Sequence, residues 1–190
     1  MHWRPDTLSR TADHMFWMVR YMERAENTAR LLDVNYPMSN TALLLDVKFQ
    51  SLAGDDYFGP RGSQKEAVQE VDFYHWSAVL RSVSGFEVYR KVYRNVIRPD
   101  RVAELLILRP DMPRSLAACM NALMLNLGLV SNAQSDDTVR RAGRLHSDLK
   151  YGRIDEILAT GLHAYLTQFL DRVGDLGVGI SRDFLVPMAV

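Results

Sequence analysis

The sequence predicts an all-α protein folded as a helical bundle of six to seven helices. Apolar residues recur at the spacing of a helix face along most of the chain, and no stretch shows the sustained alternation of a half-buried strand. Proline and glycine fall between the periodic stretches, where they break helices and leave short connections. Hydrophobic residues make up 47% of the 190, enough for one core, so the chain reads as a single domain over residues 1–190. Within it, residues 9–52 form an opening helical part and residues 72–185 a longer closing part.

The first helix covers about residues 9–36. Ser9 or Thr11 caps it and Pro37 ends it, because the residue before a proline is pushed out of helical backbone. At 100° per residue, Trp17, Met18, Tyr21, Met22, Ala25, Ala29 and Leu32 share one arc. Asp13, Arg20, Glu23, Arg24, Glu26, Asn27 and Arg30 share the opposite arc. Phe16, Val19, Leu31 and Val34 interrupt that polar arc. A fully solvated face has no use for them, so the face is expected to be partly covered and its charges paired.

Residues 40–52 continue helically, and the glycines and proline of 54–62 make a loop. A helix over about 72–95 follows, then a short one with Pro99 in its first turn, through Leu108. Pro113 opens an apolar helix to Leu129. Asp136 or Asp137 caps the next, which runs to Tyr151 and stops at Gly152 in left-handed backbone. The last helix spans about 153–173, and the glycines of 174–179 are expected to fray its end. Trp76, Phe86, Tyr89, Val92 and Tyr93 form an apolar stripe suited to the core or to a partner groove.

Composition excludes several classes. Formal net charge is +0, so no overall field draws nucleic acid or an anionic membrane. No apolar stretch reaches the ~20 residues that a spanning helix needs. The polar opening residues 1–6 do not resemble a secretory leader, and a cytoplasmic location is expected. Cys119 is the sole cysteine, so neither an internal disulfide nor a thiolate metal cluster can form. No His-x-x-x-His or Glu-x-x-His pair places two metal ligands on one helix face, and no metal or cofactor is called for. Gly177-Val178-Gly179 lacks the preceding strand and following lysine of a phosphate loop. Nineteen of the 23 cationic residues are arginine, whose planar fork suits carboxylates and phosphates; a genome rich in arginine codons produces the same bias.

A short repeat is present. Residues 27–36 read Asn-Thr-Ala-Arg-Leu-Leu-Asp-Val-Asn-Tyr and residues 40–49 read Asn-Thr-Ala-Leu-Leu-Leu-Asp-Val-Lys-Phe, identical at seven of ten positions. Nothing like residues 21–26 precedes the second copy, and the spacing is too short for a solenoid.

Leu8-Ser9-Arg10-Thr11-Ala12-Asp13-His14 and the following Phe16-Trp17-Met18-Val19-Arg20-Tyr21-Met22-Glu23-Arg24-Ala25-Glu26-Asn27 resemble the start of the bacterial alpha-E proteins, a helical family with a Glu-Arg motif, matched by Glu23-Arg24. Residues 86–93, 112–116, 151–156 and 180–184 are similar to the family's closing part. Members are usually longer, with a central helical region and a second Glu-Arg helix. Here the first helix leads almost directly into what resembles the tail of that second helix, so the chain reads as an internally shortened member. The resemblance implies partners: a circularly permuted ATP-grasp protein, which joins a carboxylate to an amine through an acyl phosphate, and a transglutaminase-like protease. It therefore implies an accessory role in amide-bond or peptide modification. An amide-processing enzyme using the Glu23–arginine face and an inactive remnant are the alternatives, and a homo-oligomer is compatible with all three.

The residues that could carry chemistry are Arg20, Glu23, Arg24, Asn27 and Arg30 on one helix face, with Arg114, Arg141, Arg144 and Arg153 as further donors. Residues three and four apart are neighbours, so Glu23 can meet Arg20 and Asn27. The set suits an anion clamp, arginines gripping a carboxylate or phosphate. It equally suits an interhelical ion network, with Glu87, Asp155, Glu156 and Asp183 as opposite charges. His146, near Arg144, Tyr151 and Arg153, is a candidate general base, although a lone histidine on a helix is more often structural; His14 and His163 are read the same way.

Overall fold

The computed structural model describes the backbone of residues 5–53, 64–94, 96–130 and 134–185 and the side chains of 9–38, 73–94, 96–130 and 134–183. Eight helices, and no strand among the described residues, follow in order: α1 (Pro5–Ala53), α2 (Gln64–Ser82), α3 (Phe86–Tyr93), α4 (Pro99–Leu108), α5 (Leu116–Leu129), α6 (Asp136–Tyr151), α7 (Ile154–Thr160) and α8 (Leu162–Leu185). Helix α1 is the spine. It packs most extensively on α5, then on α8, and touches α2 and α4; α6 lies against both α5 and α8.

The departures from the expected boundaries have local causes. Pro37 lies inside α1 and does not end it, although it lacks the N–H that the ladder needs. Packing overrides the local preference: Tyr36 meets the buried Trp76 of α2 edge-on at 6.2 Å, and Asn35 Nδ2 donates to Leu31 O at 2.7 Å one turn earlier. The two opening helices are therefore one. Conversely, the expected helix over 72–95 divides into α2 and α3 where Ser84 takes a positive φ of 56° before Gly85. The last helix divides at Gly161, whose φ of 101° is open to glycine and not to other residues. The glycines at 174–179 do not fray: Val173, Leu176 and Ile180 are buried, and a Cβ at Gly179 would lie only 3.0 Å from Thr138 Oγ1. Glycine there lets α8 close on α6. Gly152 ends α6 in extended backbone (φ −64°), not left-handed, and space is its reason, since a Cβ would come within 2.6 Å of Asp148 O. The loop expected at 54–62 lies outside the described residues.

Caps also shift by a residue or more. Ser115 caps α5, accepting from Ala118 N at 3.0 Å while donating to Arg109 O at 2.6 Å. Ser135 caps α6, leaving Asp136 and Asp137 in its first turn, where carboxylates suit the helix dipole.

The core is continuous. Met15, Met18, Met22, Ala25, Ala29 and Leu32 supply the buried stripe of α1. Helix α4 is buried on almost every side through Val102, Ala103, Leu105, Leu106 and Ile107. Trp76 and Tyr89 are fully buried, which settles that stripe as core; the Tyr89 hydroxyl donates to Val96 O at 2.9 Å and accepts from Arg98 N at 3.0 Å.

The two kinds of glycine separate in a stability measurement. Gly161→Ala forces an L side chain into positive φ and is expected to cost about 1 kcal/mol or more. Gly174→Ala, exposed in the helix interior with open space around it, is expected to gain about 0.5–1 kcal/mol. Urea midpoints that fail to move in opposite directions would refute this account of α8.

Candidate functional site

The Glu-Arg face of α1 is not sheltered. Arg20 Nη1 donates to Glu23 Oε2 at 2.5 Å, and the two side chains are 47% and 51% exposed. Arg30 and Glu26 form a second pair at 3.5 Å, and Asn27 is exposed. These pairs lie within one helix and join no other element. Of the apolar residues that suggested a cover, Leu31 packs partly buried against the core, but Phe16 is 56% exposed and Val19 and Val34 are exposed with it. Exposed i, i+3 and i, i+4 pairs contribute about 0.3–0.5 kcal/mol each.

The other sequence-derived positions disperse. Arg24 turns toward α5 and stacks over the Tyr21 ring, 5.5 Å from its centroid. Arg114 approaches from the start of α5, where its carbonyl accepts from Thr28 Oγ1 at 2.9 Å. Both guanidinium groups act on buried Cys119, yet burial dominates and pushes that thiol up to about 11, so it is protonated at neutral pH. Arg144 belongs to a groove between α6 and α8. Arg153 is exposed and pairs loosely with Asp155 (3.8 Å) and Glu156 (3.9 Å). Glu87 is exposed. Asp183 answers mainly to hydroxyls: Ser135 N (2.9 Å), Ser135 Oγ (2.7 Å) and Thr138 Oγ1 (2.6 Å) all donate to it, with Arg182 at 3.6 Å. Burial pushes its carboxyl up, but these donors together hold it below the usual carboxylate range.

Three of the four described histidines tie helices together, while His75 meets its neighbour Trp76 edge-on within α2. His14 meets Asn126 Oδ1 at 3.0 Å (α1 to α5), His146 meets Asn121 Oδ1 at 2.7 Å (α6 to α5), and His163 meets Asp33 Oδ1 at 2.6 Å (α8 to α1). His146 also edges a groove of about 330 Å³ with Asn121, Lys150 and the apolar Leu108, Pro110 and Ala117.

What the sequence reading missed is a surface. The His14–Asn126 bond fixes α1 beside α5. One turn on from His14, Trp17 continues the row, with Phe16 at 5.5 Å and Tyr21 at 6.1 Å between ring centroids. Beside Asn126, α5 presents Leu125 and Leu129, which are 73% and 69% exposed. Aromatic rings and Arg24 thus border the Arg20–Glu23 pair, and Leu125 and Leu129 lie toward the His14 end of the same helix pair. The available signal was the position of Trp17 and Tyr21 at the edge of the apolar arc, next to Arg24.

Among the described residues, no three His, Cys, Asp or Glu side chains are grouped to hold a metal, and no helix is long and apolar enough to cross a membrane. A model of the Alpha-E family, described as a predicted alpha-helical domain with a conserved ER motif, matches residues 7–52 and 37–185. The chain belongs to the Alpha-E family. No curated protein and no solved structure matches it. The two Alpha-E matches overlap over 37–52, which contains the second copy of the ten-residue repeat. Glu23-Arg24 is the only Glu-Arg dipeptide in the sequence and lies in the first match, so the family's ER motif falls on the exposed face of α1.

Two measurements check this electrostatic picture. Glu23→Gln should change unfolding free energy by less than about 0.5 kcal/mol; a larger loss would mean a buried network. Asp183→Asn should cost about 1–3 kcal/mol at pH 7. Because the folded carboxyl titrates below its unfolded value, its contribution is present above about pH 4 and is lost as pH falls through the folded value. Wild type and Asp183→Asn should therefore converge in acid, and a gap that widens there would contradict the assignment.

Proposed function

We propose that this Alpha-E protein is a partner-binding subunit that works beside a circularly permuted ATP-grasp ligase in amide-bond or peptide modification, with a transglutaminase-like protein as a further associate. The docking surface is the α1–α5 face around Trp17, Tyr21, Arg24 and Leu125. The single observation that carries the reading is the place of the ER motif. Glu23 is half exposed in a pair that stabilises little, so the fold alone gives no reason to keep it. The side chains beside it are those that dominate protein interfaces. Tryptophan, tyrosine and arginine anchor hot spots, and exposed leucines extend the apolar patch. The Arg20–Glu23 pair then acts as a polar rim that sets register more than affinity.

Co-purification with a circularly permuted ATP-grasp protein from the same genome tests the reading. Association at micromolar concentration is expected. Trp17→Ala should weaken it at least about tenfold while leaving the circular dichroism spectrum intact, as truncation of a hot-spot aromatic does. No association at micromolar concentration would end the proposal, and association indifferent to Trp17→Ala would move it off this face.

A further inference from the structure

The groove between α6 and α8 shares no residue with the α1–α5 face and has a different chemistry. On α6, Asp137, Arg140, Arg141 and Arg144 recur at three- and four-residue spacing and so line one side. On α8, Arg172 and Asp175 line the other. The helices run antiparallel, since Gly179 faces Thr138 while Arg172 reaches Asp148 at 2.7 Å. The buried Leu145 forms the floor, which continues toward Leu149, Phe169 and Tyr165. The space is an open trough of about 380 Å³ and not an enclosed pocket.

We infer that this trough binds an extended acidic peptide segment, its carboxylates on the arginines and an apolar side chain on the Leu145 floor. The arginines are held ready. Asp137 fixes Arg141 at 2.6 Å and reaches Arg140 at 3.8 Å, and Asp148 fixes Arg172. Each guanidinium has five N–H donors, and these pairs use only some of them, so every arginine keeps donors for a ligand. Arg144, between the fixed pairs, has no hydrogen bond or ion pair among the described residues. It is an always-charged group standing beside two like charges, an arrangement that a bound anion relieves. The Arg141 guanidinium holds the Asp137 carboxyl below the usual carboxylate range.

Shape and charge select the class of ligand. From Asp137 to Asp148 the α6 wall rises roughly 16 Å, the length of about five extended residues. Four guanidinium groups stand against the carboxylates of Asp137, Asp148 and Asp175. Interleaved aspartates repel a dense polyphosphate, but they tolerate glutamates spaced along a peptide that alternate with apolar residues.

The probe is a fluorescein-labelled peptide, Glu-Leu-Glu-Ala-Glu-Leu, titrated against the full chain by anisotropy. Its counterpart with every glutamate replaced by glutamine and inorganic tripolyphosphate serve as comparisons. The glutamate peptide should bind at least about tenfold tighter than the glutamine peptide, and its affinity should fall as salt rises. Arg144→Ala should weaken it at least about fivefold, and Arg144→Ala with Arg172→Ala should abolish it. Arg153→Ala, which removes an exposed arginine outside the trough, should leave it unchanged. Equal binding of the two peptides, an equal loss with Arg153→Ala, or displacement by tripolyphosphate at concentrations below those of the peptide itself would each overturn the inference.

Discussion

The contact of α1 with α5 is the constraint on which the remaining arrangement depends. The buried stripe of α1 contains Ala25 and Ala29, with Thr28 beside them, and these small side chains let the two helix backbones run close. Methionine and leucine at Met18, Met22 and Leu32 fill what remains between α1, α5 and α8. Polar ties mark both ends of the contact. His14 meets Asn126 near the start of α1, and Thr28 donates to the carbonyl of Arg114 at the start of α5. Once these are set, α6 has a surface formed by α5 and α8, and α4 is enclosed by the helices around it.

This choice of buried face determines what the Glu-Arg motif can do. Turning the Met–Ala stripe inward turns Arg20, Glu23, Asn27 and Arg30 outward, because they lie about half a turn away. The same rotation leaves Trp17, Tyr21 and Arg24 at the rim of the contact, half over α5 and half in water. A residue at such a rim stabilises the monomer little and is free to contact a second protein. The motif's position is thus a by-product of core packing.

Much of this was legible in the sequence, and the failures are physical. The helical type of every described element followed from apolar spacing, and five buried α1 residues, Met18, Met22, Ala25, Ala29 and Leu32, lie on the arc that the spacing marked. Boundaries failed where tertiary packing outweighs a local preference. Pro37 cannot donate to the ladder, yet Tyr36 packs against Trp76 and the helix runs through. Ser84 breaks a helix that no proline interrupts. The candidate site failed for a related reason. Apolar residues interrupting a polar arc imply cover only when they are buried, and Phe16 and Val34 stand exposed, as single surface apolar residues commonly do. Arg144 was visible as a donor, but its groove needs Arg172 from α8, and helical spacing says nothing about which helices become neighbours.

The arginine bias has a structural use that codon preference does not supply. Two arginines clamp the aspartate two residues on, with paired N–H bonds at 2.7–3.0 Å: Arg98 with Asp100 at the start of α4, and Arg109 with Asp111 after its end. Others sit over rings, Arg81 over Phe86 at 4.6 Å and Arg101 over Tyr93 at 5.7 Å. A lysine ammonium cannot reproduce the paired clamp, which needs a planar group with several donors in one plane. These contacts are exposed or at the core's edge, so each adds little to stability. Their effect is to hold guanidinium groups in fixed orientations across the surface. An orientation already fixed is side-chain entropy that a ligand does not have to remove. In the groove between α6 and α8, Arg140, Arg141 and Arg172 are held in this way by Asp137 and Asp148, beside Arg144.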